Sequence, residues 1–132
     1  MDLSKSSKNA QKVLILGASD NVSRYSYRAF EQLTQRGYPT VLVNPRLSHL
    51  QSQPCYPSIS MLPPDQRDID TVTVYVAEEI SNRMQEELLG LAPRRVIFNP
   101  GAENPGLAAV LQKSGIKVEN ACTLVLLSIN QF

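Results

Sequence analysis

The residues best suited to chemistry form one short run, Gly17-Ala18-Ser19-Asp20-Asn21, directly after the unbroken apolar stretch Val13-Leu14-Ile15-Leu16. A buried strand that ends in glycine and opens into a helix brings backbone N–H groups and the positive end of the helix to one point. That arrangement holds phosphate. Gly17 lets the main chain approach a ligand without a Cβ in the way, Ser19 adds a hydroxyl donor, and Ala18 and Asn21 complete the loop. A lone glycine also serves simply to end a strand. Placement at the carboxyl edge of an open sheet, where such sheets bind ligands, favours the phosphate reading. Arg24 and Arg28, four apart, share one helix face beside the loop, and from there Arg24 can reach a diphosphate.

The full dinucleotide fingerprint has two further glycines, whereas here Ala18 and Ser19 follow Gly17 and no glycine recurs until Gly37. An NAD site also places an acidic residue at the end of the second strand to accept from a free ribose hydroxyl. This chain has Asn44-Pro45-Arg46 instead. A cation there suits a phosphorylated ribose, either the 3′-phosphate of coenzyme A (CoA) or the 2′-phosphate of NADP, and equally suits a solvated surface. A second glycine turn, Asn99-Pro100-Gly101-Ala102-Glu103, follows a later strand at the same sheet edge, where it either walls the crevice or merely connects two elements.

Other reactive side chains are poorly placed for catalysis. The single histidine, His49, lies in a polar, proline-rich stretch with no carboxylate at fixed spacing. Cys55 and Cys122 lack paired metal-ligand spacing and read as free, buried or incidental thiols. Glu78-Glu79 and Glu86-Glu87 read as solvated helix charge.

The elements that position these residues alternate between strand-length apolar runs and segments of helical period, the pattern of parallel βαβ construction. Val13–Leu16 is continuous rather than alternating, as a strand covered on both faces should be. Ser23 is expected to cap a helix running to about Arg36, with Tyr27, Phe30 and Leu33 on one side and Gly37 as a left-handed stop. Thr40–Val43 is a second strand ended by Pro45. Four prolines (54, 57, 63 and 64) make residues 46–68 a loop with one short helix near Ser58–Leu62. Thr71–Val76 is a third strand. A helix follows from Glu78, with Ile80, Met84, Leu88 and Leu91 on one face and acidic residues at its positive end. Val96–Phe98 is a fourth strand, a helix through Leu107, Val110 and Leu111 ends before Gly115, and a fifth strand begins near Lys117. Thr123–Ile129 fits strand or helix equally. The fold class is therefore α/β: one Rossmann-like, doubly wound domain with a mainly parallel five-stranded sheet and helices on both faces.

At 132 residues the chain has room for one such core, over residues 12–132, with a polar leader over residues 1–11 expected to be flexible. Thirteen basic and twelve acidic residues give a net charge of +1. No global field draws in nucleic acid, so any anion site is local. No apolar run approaches the roughly 20 residues of a membrane span, and no secretory signal is visible, so a cytoplasmic, soluble protein is expected.

In order, Gly17-Ala18-Ser19, Arg24-Tyr25-Ser26-Tyr27-Arg28, Gly37-Tyr38, Val43-Asn44-Pro45-Arg46, Tyr56-Pro57-Ser58, Asp70 and Asn99-Pro100-Gly101-Ala102-Glu103 resemble the small stand-alone CoA-binding proteins. These are similar in fold to the nucleotide-binding domain of the succinyl-CoA synthetase α subunit. The resemblance spans residues 12 to 122. It implies a CoA or acyl-CoA site with the first loop on the phosphates, the Asn-Pro-Arg turn near the adenosine end, and Val76 and Ala77 against the nucleotide. The chain departs from the family pattern at Phe98 and Asn99, where tryptophan and glutamine are usual, and at Ala121, where arginine commonly precedes the cysteine. The resemblance supplies no catalytic group, since the synthetase's phosphorylated histidine lies in a domain this chain lacks. A non-catalytic CoA-binding module is the expected function, possible as a homodimer or with a partner protein. The alternatives are an NADP-dependent oxidoreductase and a nucleotide-responsive regulator.

Overall fold

The computed structural model describes residues 11–132. The expected leader lies outside the described residues apart from Gln11. The strands are β1 (Val13–Leu16), β2 (Thr40–Val43), β3 (His49–Leu50), β4 (Gln53–Tyr56), β5 (Thr71–Val74), β6 (Arg95–Phe98) and β7 (Lys117–Asn120). The helices are α1 (Tyr25–Gln35), α2 (Glu78–Asn82), α3 (Gln85–Leu91), α4 (Pro105–Lys113) and α5 (Thr123–Ser128), with 3-10 turns at Ile59–Met61 and Pro64–Gln66. The sheet order is β3-β4-β2-β1-β5-β6-β7, parallel throughout except where β3 pairs antiparallel with β4. With the two-residue β3 set aside, the strands run third, second, first, fourth, fifth, sixth, the doubly wound order.

Burial follows from this layering. Leu14, Leu16, Val41, Val43, Val72, Val74, Val96 and Phe98 face one core with Leu88, Leu91, Leu107 and Leu111 of the helices. Val13, Ile15 and Leu42 face the other, with Phe30, Leu33 and Leu127. Both faces are covered, so the apolar runs are continuous. Each fully buried aliphatic side chain contributes about 1.5–3 kcal/mol.

Five strands were expected and the sheet has seven. The extra pair is a hairpin inside the proline-rich stretch, closed at Gln51 with φ 56°. Prolines at 54 and 57 disguise a strand whose residues Cys55 and Tyr56 register against Leu42 and Val43. Ser23 is not the cap of α1: Arg24 holds that position in an extended conformation, and the Ser23 hydroxyl donates to Asn21 Oδ1 at 2.7 Å. Gly37, φ 84°, ends α1 as expected, with the Tyr38 amide donating to the Leu33 carbonyl and the Gly37 amide to that of Thr34. The third strand stops at Val74 rather than Val76. The helix after it breaks at Arg83–Met84 into α2 and α3, which leaves Ile80 39% exposed while Leu88 and Leu91 are buried. Residues 123–128 are helical.

Candidate functional site

β1 leads outward to β2 on one side and β5 to β6 on the other, so the loops after β1 and β5 diverge and open a crevice at the carboxyl edge. The two loops touch at its base. Gly17 has φ +94°, and a Cβ there would lie 2.9 Å from Val76 Cγ1 and 3.3 Å from the Tyr75 carbonyl carbon. The position that a Cβ would take is thus occupied by Val76. Glycine is required here by its backbone conformation and by close packing of β1 against the chain leaving β5.

The amides of Gly17 and Ala18 both donate to the Val43 carbonyl, at 2.9 and 3.2 Å. Beyond them the loop braces itself: Ser19 Oγ accepts from the Asn21 amide at 3.0 Å, and Asn21 Oδ1 accepts from the Ser23 amide at 3.0 Å. Among the described residues, the amides of Ser19 and Asp20 and those of Tyr25, Ser26 and Tyr27 in the first turn of α1 have no protein acceptor. These are the donors the edge leaves open. Asn44 works as a bracket. Its side-chain amide donates to the Ala18 carbonyl, its Oδ1 accepts from the Arg46 amide at 2.8 Å, and its own amide donates to the Tyr56 carbonyl at 2.9 Å. Pro45 and Arg46 are carried out to the surface by this turn.

Arg24, Arg28 and Arg46 are exposed and form no ion pair among the described residues; Arg28 lies over the Tyr25 ring at 5.6 Å. Val22 and Tyr25 beside them are 68% and 65% exposed. On the other side of β1, Val76, half-buried, and Ala77 at the N-terminus of α2 follow β5, and Pro100 and Gly101 follow β6 at the same edge. Gly101 has φ +90° and its amide donates to Glu103 Oε1 at 2.9 Å.

Beside these residues is a polar cluster that sequence reasoning missed. Buried Asn99 donates to Thr73 Oγ1 at 2.7 Å and to the Val74 carbonyl at 2.9 Å, and its Oδ1 accepts from the Thr123 amide at 2.8 Å. The hydroxyls of Thr73 and Thr123 bond each other at 2.8 Å. Tyr75 Oη, beside them, is buried and makes no hydrogen bond, and burial pushes its titration up to about 12 against the pull of the two threonines. The only signal in the sequence was the alternation of threonine with valine in a buried strand.

Burial raises the Cys55 thiol, against a weaker lowering by the Asn44 carbonyl, and His49 sits on the exposed hairpin against Ser48 Oγ at 3.0 Å. Among the described residues no cluster of three or more His, Cys, Asp or Glu side chains could hold a metal, and no helix is long and apolar enough to cross a membrane. A hollow of about 380 Å³ lined by Lys12, Thr40, Gln53, Tyr56 and Gln66 lies at the sheet edge opposite the crevice.

The fold recurs in solved structures. The crystal structure of an uncharacterised protein matches with a TM-score of 0.85 at 34% identity, over 92% of this chain and 98% of that one. Cell-free ID.343 from Thermus thermophilus matches at 0.82 and 23%, over 98% and 96%. A dinucleotide-forming acetyl-coenzyme A synthetase 1 from Ca. Korarchaeum cryptofilum, in complex with phosphate and ADP, matches at 0.68 and 18%, over 89% of this chain but 27% of that one, a likeness of fold alone. The profile of the CoA binding domain matches residues 11–128, from two residues before β1 to the end of α5. The loops that frame the crevice all lie within that span, and the chain belongs to the CoA-binding domain family.

Proposed function

We propose that the carboxyl-edge crevice binds CoA or an acyl-CoA as a carrier or sensor module, without catalysis of its own. The observation that carries this reading is the convergence of open backbone donors, at Ser19, Asp20 and the first turn of α1, with three exposed arginines that have no carboxylate partner. An anion placed there gains amide hydrogen bonds, the positive end of an eleven-residue helix, and guanidinium forks. In this reading Gly17 and Ala18 shape the loop, and Ser19, Asn21 and Arg24 attend the diphosphate. Asn44 and Pro45 hold Arg46 for the ribose phosphate. Val76 and Ala77 flank the nucleotide, and Pro100 and Gly101 wall the far side.

The test is calorimetry of the protein against CoA, acetyl-CoA, NAD and NADP, repeated with Arg46→Ala and Arg24→Ala. CoA or acetyl-CoA bound selectively, and less tightly by both variants, is the expected result. Binding of none of the four overturns the reading, and preference for NADP transfers the site to a different cofactor class.

A further inference from the structure

Helix α5 (Thr123–Ser128) is six residues long and buries only Thr123 and Leu127, while Val125 and Ile129 are 53% and 56% exposed. A helix this short has no stability of its own. The segment crosses one face of the sheet and is tied down at both ends. At the carboxyl edge the Thr123 amide donates to Asn99 Oδ1 and its hydroxyl meets that of Thr73. At the amino edge Asn130, φ 58°, turns the chain and its Oδ1 accepts from Arg36 Nη1 at 3.3 Å. The Phe132 ring then lies over the buried Arg95 guanidinium, 4.5 Å from its centroid, and edge-on to Tyr38 at 5.3 Å.

The first anchor is continuous with the crevice wall. The Asn99 carbonyl accepts from the Ala102 amide at 2.8 Å and so closes the turn that carries Pro100 and Gly101, while its side chain reaches down to Thr73, Val74 and Thr123.

We propose that residues 123–132 form a strap whose docking is coupled to CoA occupancy through Asn99. The coupling rests on the CoA reading above. A ligand seated against Pro100–Gly101 restrains Asn99, which holds the Thr123 amide and favours the docked strap. Coupling free energies are reciprocal, so loosening the strap at its far end weakens CoA binding, although that end lies at the opposite edge of the sheet.

The experiment uses the full chain. Amide hydrogen exchange is followed with and without saturating CoA, and CoA affinity is measured for wild type, Phe132→Ala and Arg36→Ala. Arg36→Ala removes the Asn130 contact without opening the core, so a folding defect in Phe132→Ala leaves the test intact. CoA is expected to slow exchange over residues 124–131 beyond any slowing in α4. Both variants are expected to exchange faster there without ligand and to bind CoA more weakly, by about fivefold for Phe132→Ala. Wild-type CoA binding with no selective protection of 124–131, or folded variants with unchanged affinity, overturns the coupling. Failure of wild type to bind CoA overturns the functional reading itself, and the strap's ligand linkage with it.

Discussion

The two edges of the sheet treat charge in opposite ways. At the amino edge Lys12 meets Asp68 at 2.8 Å, Arg94 meets Asp70 at 2.9 Å, and Arg95 and Lys117 meet Glu119 at 3.5 and 3.3 Å. At the carboxyl edge Arg24, Arg28 and Arg46 form no such pair among the described residues. The four amino-edge pairs tie residues in or just before β1, β5, β6 and β7 and so contribute to the stability of the fold. The three arginines at the carboxyl edge, and the amides of Ser19 and Asp20 beside them, have no such partner among the described residues. Net charge near zero conceals this separation, since it sums over both edges.

The largest expected effect breaks the contrast at its base. Gly17→Ala puts a Cβ 2.9 Å from Val76 Cγ1 at φ +94°, so backbone strain and overpacking together should cost about 3 kcal/mol. Urea unfolding measures it; a loss under 1 kcal/mol would show that the loops after β1 and β5 are not locked together. Lost CoA binding in this variant therefore reports on folding, which is why the arginine variants are the better probes of the ligand.

At the amino edge, Asp70→Asn removes a carboxylate that holds Arg94 through two bonds, at 2.9 and 3.0 Å, and Thr71 Oγ1 at 2.7 Å. The expected cost is about 1.5 kcal/mol with CoA affinity unchanged. Burial opposes ionisation of Asp70, but Arg94, Thr71 and Arg95 outweigh it and hold the carboxyl below its usual range. Its contribution is present above the unfolded value near 3.8 and lost as pH falls through the lower folded value. The difference between wild type and Asp70→Asn should therefore narrow in acid. A difference independent of pH in denaturant titrations would contradict this assignment.

Arg46→Ala should do the reverse of Asp70→Asn. Folding stability stays within about 0.5 kcal/mol, as for an exposed side chain without partners. CoA binding weakens roughly fivefold, about 1 kcal/mol, and by less at high salt. Equal affinity for both proteins at low salt would remove Arg46 from the site.

The same contrast marks what the sequence could and could not reveal. β1 and β2 are readable because two covered faces force apolar runs, β5 because its residues are all β-branched, and Gly37 because a helix stop is a local event. The β3–β4 hairpin is hidden by Pro54 and Pro57, which argue against a strand unless the pairing of Cys55 with Leu42 is already known. Gly17 was found for an incomplete reason, since its neighbour Val76 comes from a distant part of the chain. Asn99 was visible as the start of a glycine turn and as a departure from the family pattern, but not as the centre of a buried polar cluster. Its role depends on Thr73 and Thr123, which no spacing rule brings together.

The smallest expected effect sharpens the comparison under the crevice. Three buried polar atoms lack hydrogen bonds among the described residues: Arg95 Nη2 and Glu119 Oε2 at the amino edge, which belong to one ion pair, and Tyr75 Oη at the other. The neighbouring threonine hydroxyls bond each other, so Tyr75→Phe deletes a buried hydroxyl that makes no hydrogen bond among the described residues. Stability should be unchanged or rise by up to about 1 kcal/mol at neutral pH. The alkaline limb gives the sign. With a folded value of about 12 against 10.0 unfolded, the unfolded chain releases its proton first, so Tyr75 makes stability fall as pH rises from about 10 to 12. Tyr75→Phe should lack that fall, and denaturation at stepped pH would show it. If the variant instead loses more than 1 kcal/mol at neutral pH, the hydroxyl has a partner in the threonine cluster beneath the crevice.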